Sequence, residues 1–323
     1  MEKKFKIEAV QTSFCLFSCI ELLAREYGWN VAAMYSSCPT FNIKCYEKGT
    51  FPELRLSFAK SPIDICREYL SFEVNEVSIP CDVESDEFVS LLQKNFPCIT
   101  CIDAYICPWT KFYKKKHISH YIILLSLDKD DYLVCCDPFI TDTQQKLLFD
   151  DYFDFWRKNE DLLMYEFKRM YKLCKTDNLQ LDIINELAGT ARYILKNHML
   201  EDMDLYIKIL QNDVFIIKDN VIGFHLDNGF LDLLTVGNTR KDFFKALAYS
   251  YSINGKCKLK KILDEYENLL EMWESLEQSV LFMSLIKDAK RRQNILFTIC
   301  ERLNAICVLE KKINYALAAV DRD

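Results

Sequence analysis

The segment from His120 to Pro138 constrains this chain more than any other. Two apolar runs, 120–127 and 132–137, flank the charged stretch Asp128-Lys129-Asp130-Asp131, the pattern of two strands joined by a turn. An antiparallel hairpin centred on that turn sets residue 122 opposite residue 137. Side chains alternate across a strand, so His120 and Asp137 then share a sheet face as direct or diagonal neighbours. An imidazole held beside a carboxylate is the orienting half of a nucleophilic triad. A thiol that would complete it stands far upstream, where Cys15 opens an apolar stretch.

Residues 13–27 read as a helix. Leu16, Ile20, Leu23 and Tyr27 recur at helical spacing, Ser18, Glu21 and Arg25 fall on another face, and Gly28 stands where a C-terminal cap is expected. Ser13 is the candidate N-cap. A cysteine in the first turn gains from the helix N-terminus, which stabilises a thiolate and turns backbone N–H groups toward a developing oxyanion. Cys15 has that place, whereas Cys19, one turn further on, does not. On position alone, packing roles for both remain open. Gln11, four residues before Cys15, is a candidate side-chain donor to the same oxyanion. Two histidines compete for the role of base. His117 belongs to the lysine-rich run 111–117 and reads as solvated; His120 opens a strand with the parity to meet Asp137 and is the expected base. His198 and His225 have no cysteine or carboxylate cluster around them.

Other cysteine patterns point away from metal. Cys98-Ile99-Thr100-Cys101 and the pair Cys135-Cys136 lie in strand-like text, where residues three apart or adjacent point to opposite faces and cannot clasp one zinc ion. No metal and no cofactor are expected. The 15 cysteines then read as small buried hydrophobes in a reducing compartment. A net charge of −7 argues against nucleic acid as the main partner. The opening residues lack the apolar run of a signal peptide, and no 18-residue apolar stretch suggests a membrane span. A cytoplasmic location is therefore expected. The lysines of 111–116 leave two readings open, a solvated loop or a surface that steers an acidic partner.

Residues 61–70 and 87–95 read as helices, 98–107 as a strand, and 30–56 as loops with short helices. Beyond residue 178 the text is mostly helical, with stretches at 181–197, 241–251, 258–275 and 279–315. A helix followed by clustered strands suits an α+β, papain-like domain with an antiparallel sheet over 1–175, followed by a helical domain over 176–323.

Taken together, Gln11 before Cys15, the helix running to Gly28, the strand Pro97 to Pro108 containing Asp103 and Tyr105, His120, and Asp137-Pro138 resemble the papain-like leader peptidases of bacteriocin-exporting transporters. The resemblance is closer to proteins similar to butirosin biosynthesis protein H. Leu16 departs from the leader peptidases, which carry glycine after the cysteine, and Gln11 is nearer the cysteine than theirs. The resemblance covers the N-terminal half, and the C-terminal half only in its helical character. It implies a Cys15-His120-Asp137 triad with Gln11 at the oxyanion. The activity it implies is acyl transfer from a carrier-protein thioester (acyl or peptidyl carrier) to a small amine or diamine, in antibiotic or other secondary-metabolite assembly such as a polythioamide pathway. A peptidase or thioester hydrolase with the same triad, or a binding module without chemistry, are the other readings.

Overall fold

The computed structural model describes residues 5–37, 40–45, 52–70, 72–80, 83–157, 169–176, 183–197, 199–212 and 228–320. In chain order the elements begin with α1 (Cys15–Glu26), β1 (Thr40–Cys45), β2 (Glu53–Ser57), α2 (Pro62–Tyr69), β3 (Phe72–Glu76) and α3 (Ser85–Asn95). Then come β4 (Cys98–Asp103), β5 (Ser119–Leu127), β6 (Tyr132–Cys136), β7 (Gln144–Leu148), α4 (Phe149–Arg157) and β8 (Met170–Lys175). Helices α5 (Ile183–Lys196), α6 (Met199–Asn212), α7 (Asn228–Asn254), α8 (Cys257–Leu285) and α9 (Ala289–Ala318) complete the chain. The fold is mixed α+β, an antiparallel sheet with a helical C-terminal region.

The chain divides into two compact units, Met1–Val31 with Cys66–Leu179, and Ala32–Ile65 with Gln180–Asp323. Residues 32–65, which a single cut at 175/176 assigns to the first domain, group with the helices.

In the first unit the sheet runs β3-β8-β4-β5-β6-β7, every neighbouring pair antiparallel. Period-two alternation sorts its residues. Cys98, Ile102, Ile122, Leu124, Leu133 and Cys135 join Phe88 and Leu92 of α3 and Tyr152 of α4 in one core. Helix α1 packs along β5, with β4 and β8 beside it. Its apolar stripe is buried from Phe17 to Ala24. At its end Gly28 takes φ +74°, a conformation that costs a β-carbon-bearing residue most, and lets Trp29 N–H reach Ala24 O at 2.8 Å. Trp29 then stacks on Phe72, with ring centroids 5.2 Å apart.

The β5–β6 hairpin pairs Leu127 with Leu133 and Ser126 with Val134, then shifts register at Leu125 to pair Leu124 with Cys135 and Ile123 with Cys136. Asp128 accepts from the N–H groups of Asp130 and Tyr132, and Asp131 takes φ +59°. Two expectations need correction here. The strand expected over 98–107 stops at Asp103, because its carboxylate accepts from Tyr105 N–H and starts a 3₁₀ turn over Ala104–Ile106. Ser13 does not cap α1: the cap residue is Phe14, with no side-chain hydrogen bond.

In the helical unit α9 packs against α8, α5 and α6, and α7 against α8. Residues 30–56 are not only loops with short helices: β1 and β2 form an antiparallel pair that packs on α6 and α7. The alternation Phe41, Ile43, Cys45 and Leu54, Leu56 carries the strand pattern. Nor is 279–315 one helix, since α8 ends at Leu285 and Asp288 caps α9 by accepting from Arg291 N–H at 2.7 Å. Along α9, Leu296, Ile299, Leu303, Ile306, Ile313 and Leu317 form the buried stripe. Glu310 lies on that stripe and meets the buried Arg240 of α7 through two bonds, at 2.9 and 3.2 Å, and Trp273 of α8 at 3.1 Å. His198 and His225 lie outside the described residues.

Candidate active site

The first residue of α1 is Cys15, half-buried. Phe14, the cap residue, offers no oxygen to the amides of the first turn. The lead-in to the helix is held elsewhere. Ser18 Oγ donates to Val10 O at 2.7 Å, Thr12 Oγ1 to Phe14 O at 2.7 Å, and Thr12 and Ser18 hydroxyls meet at 2.8 Å. Val10 N–H donates to Pro138 O at 2.7 Å. That bond ties the segment before Cys15 to the corner that follows β6, where Asp137 sits. Gln11 follows Val10 on this segment with its side chain exposed.

His120 enters β5 opposite Ile102. Its Nε2 meets Asp137 Oδ2 at 2.7 Å, and the Cys15 side chain is close enough to act on the charge of the ring. The Cys15 sulfur accepts from Tyr121 N–H at 3.4 Å. Cys15, His120 and Asp137 are thus brought together. His120 and Asp137 are buried, the latter completely. Burial works against a charged ring, but the hydrogen bonds from Asp137 and Cys15 and the charges of those groups outweigh it, and His120 is pushed up to about 10. Phe139, 43% exposed, leans over the ring with centroids 6.2 Å apart.

Cys19 is fully buried and donates to Tyr121 O at 3.4 Å; burial pushes its thiol well up. His117 also has a carboxylate, Asp103 Oδ2 at 2.6 Å, and stacks on Tyr105 with centroids 4.3 Å apart. It is half exposed, and its carboxylate is Asp103 rather than the buried Asp137. Lys111, Lys114, Lys115 and Lys116 are exposed on the β4–β5 connection. Cys98 joins the core with Ile102, while burial pushes Cys98 and Cys101 each up to about 12. Among the described residues no group of three or more His, Cys, Asp or Glu side chains is placed to hold a metal ion. Nor is any helix among them long and apolar enough to cross a membrane.

Sequence reasoning missed Trp109. Its indole Nε1–H donates to Asp137 Oδ2 at 2.8 Å. A tryptophan after proline in a basic connection carries no local signal of that contact, which spans 28 residues.

No protein-family model matches this sequence, and comparison with curated proteins finds no match. The chemistry must be read from the site itself. It combines a helix-initiating thiol, an imidazole beside it and a buried carboxylate bonded to that imidazole, residue types able to serve as nucleophile, base and orienting group.

Proposed function

We propose that this chain is a cysteine-dependent acyltransferase with a papain-like catalytic arrangement. In this reading Cys15, His120 and Asp137 act as a triad and Gln11 lies at the oxyanion. The observation that carries the reading is that Asp137 Oδ2 meets the His120 ring at 2.7 Å while the Cys15 sulfur accepts from the N–H of the next residue, Tyr121, and Cys19 donates to a backbone carbonyl.

The Cys15 thiolate attacks the carbonyl carbon of an acyl thioester. The oxyanion forms against the amides at the start of α1 and the Gln11 side chain. The intermediate collapses by breaking the original C–S bond, and the leaving thiolate takes the proton from His120. An amine then attacks acyl-Cys15, His120 removes the proton the nitrogen sheds, and the Cys15 thiolate departs as the amide forms. Exchange of one thioester for another is close to neutral in energy, so the amide step drives the sequence forward. The carrier-protein donor, the amine or diamine acceptor, a place in antibiotic assembly and a cytoplasmic setting follow from the resemblance to proteins similar to butirosin biosynthesis protein H.

Intact-mass spectrometry tests the reading. The protein should gain one acyl group when mixed with acylated carrier proteins, lose it on addition of the acceptor amine, and release amide. The adduct should be missing in Cys15→Ala. Free acid as the main product with amines present would move the assignment to a hydrolase or peptidase. A wild-type chain that takes no acyl group from any thioester would end the enzymatic reading in favour of a binding module.

A further inference from the structure

Asp137 is held by less than a buried carboxylate ordinarily requires. It is fully buried, both its donors converge on Oδ2, His120 Nε2 at 2.7 Å and Trp109 Nε1 at 2.8 Å, and Oδ1 has no hydrogen-bond partner. Buried carboxylates are normally saturated with donors. The two bonds to Oδ2 are therefore the hydrogen bonds that orient the carboxylate. The two donors differ in kind. The imidazole is itself the group that the carboxylate has to orient. The indole is anchored independently.

That anchoring comes from the connection between β4 and β5. Ala104 N–H donates to Ile118 O at 2.8 Å and closes the loop at its base, and Lys114 N–H donates to Tyr105 O at 2.9 Å across it. The buried Thr110, next to Trp109, donates from Oγ1 to Ala104 O at 3.0 Å. Asp103 fastens both ends by accepting from Tyr105 N–H and Ile118 N–H, at 2.9 and 3.2 Å. Trp109 itself packs against the sheet core that contains Ile102 and Ile122. The indole N–H is therefore a fixed reference point against which Asp137 is oriented.

We propose that Trp109 is a positioning residue: its N–H holds Asp137 Oδ2 toward His120 and, through Asp137, keeps the imidazole facing Cys15. The proposal rests on the acyl-transfer reading for its consequence in rate, but not for its consequence at the imidazole. A packing role alone would need the ring and not the N–H.

The test removes the N–H and keeps the ring. β-(3-Benzothienyl)alanine at position 109 replaces the N–H with sulfur at nearly constant volume. 5-Fluorotryptophan keeps the donor and serves as the rescue, and Trp109→Phe is the genetically encoded counterpart. Two readouts are taken, the NMR titration of the His120 ring and the separate kcat and KM for acyl transfer. Without the donor the carboxylate swings off the imidazole, so His120 should titrate lower. kcat should fall about 10- to 100-fold, the scale of losses from misplacing a group by about 1 Å, with KM little changed. The fluorinated residue should restore both. The opposite sign overturns the proposal. If His120 titrates unchanged or higher, the carboxylate keeps its place without the indole donor. The titration needs no substrate. A downward shift in a chain that transfers no acyl group would keep the positioning role and reject the acyltransferase; full turnover without a shift would do the reverse.

Discussion

Asp137→Asn keeps the side-chain volume and an acceptor oxygen but removes the charge against which the His120 ring is held. Burial disfavours the charged ring, yet Asp137 and Cys15 raise it from the ordinary 6.5 to about 10. That difference is worth roughly 5 kcal/mol, shared between the two partners. One opposite charge at hydrogen-bond distance contributes about 1–3 units. His120 in the variant should therefore titrate about 1–3 units lower, in the range of roughly 7 to 9. Stability moves with it. A folded-state value above the ordinary one means that the protonated ring stabilises the fold fully below 6.5, and that the contribution fades as the pH rises to about 10. In the variant the contribution should be smaller and should be exhausted at lower pH. Two assays read this, an NMR titration of the four histidines and thermal melts across the same pH range. Once a substrate is in hand, the alkaline limb of kcat/KM should shift with the titration, and the rate should drop by about 10² to 10⁴ from the misoriented ring. If His120 in Asp137→Asn titrates within a few tenths of a unit of wild type, the 2.7 Å contact does not set the charge of the ring and the reasoning fails.

Three further outcomes follow. Iodoacetamide at neutral pH should modify Cys15 well ahead of the buried Cys19, read by peptide mass so that the exposed Cys257 is scored separately; equal labelling of Cys15 and Cys19 would refute the assignment of the nucleophile. Neutralising the exposed Lys111, Lys114, Lys115 and Lys116 together should slow association with an acidic acyl donor and flatten its salt dependence, with turnover at saturating donor unchanged; an unaltered association rate at low salt would remove the steering role. Glu310→Gln strips the counter-charge from the buried Arg240 and should cost about 3–5 kcal/mol in urea unfolding of the helical unit, whereas replacing both partners with apolar residues should recover much of the loss; a cost below about 1 kcal/mol would mean the pair is not holding α7 against α9.

The hairpin is legible because everything that determines it is contiguous. A turn centred on 128–131 sets 122 against 137, and the structure arrives at the same alignment by another route. The turn closes one residue later, with Asp128 N–H donating to Tyr132 O, and the irregularity at Leu125 absorbs the extra residue before Leu124 meets Cys135. Two offsets cancel, and His120 and Asp137 come out as diagonal neighbours on one face. Nothing in the periodicity of 120–127 announces that bulge. The strands at 40–45 and 53–57 are the opposite case, since their period-two alternation is present in the text and is obscured only by the segment between them.

The meeting of Cys15 with His120 belongs to a third kind, because 105 positions separate the two residues and no pattern of spacing connects them. Each is conspicuous only for where it stands in its own element, one at a helix start and the other at a strand opening. Trp109 has no such mark. Its N–H reaches Asp137 because backbone bonds close the β4–β5 connection, Ala104 to Ile118 and Lys114 to Tyr105, and a loop's closure is decided by the strands that frame it. The same holds for Arg240 and Glu310, one residue of each helix stripe exchanged for a charge. Each reads alone as a fault in the apolar pattern, and only where the side chains of α7 and α9 meet do the two faults become one interaction. Local text can therefore announce the chemistry of this site at its element ends, while the residues that hold that chemistry in place become visible only where distant segments meet.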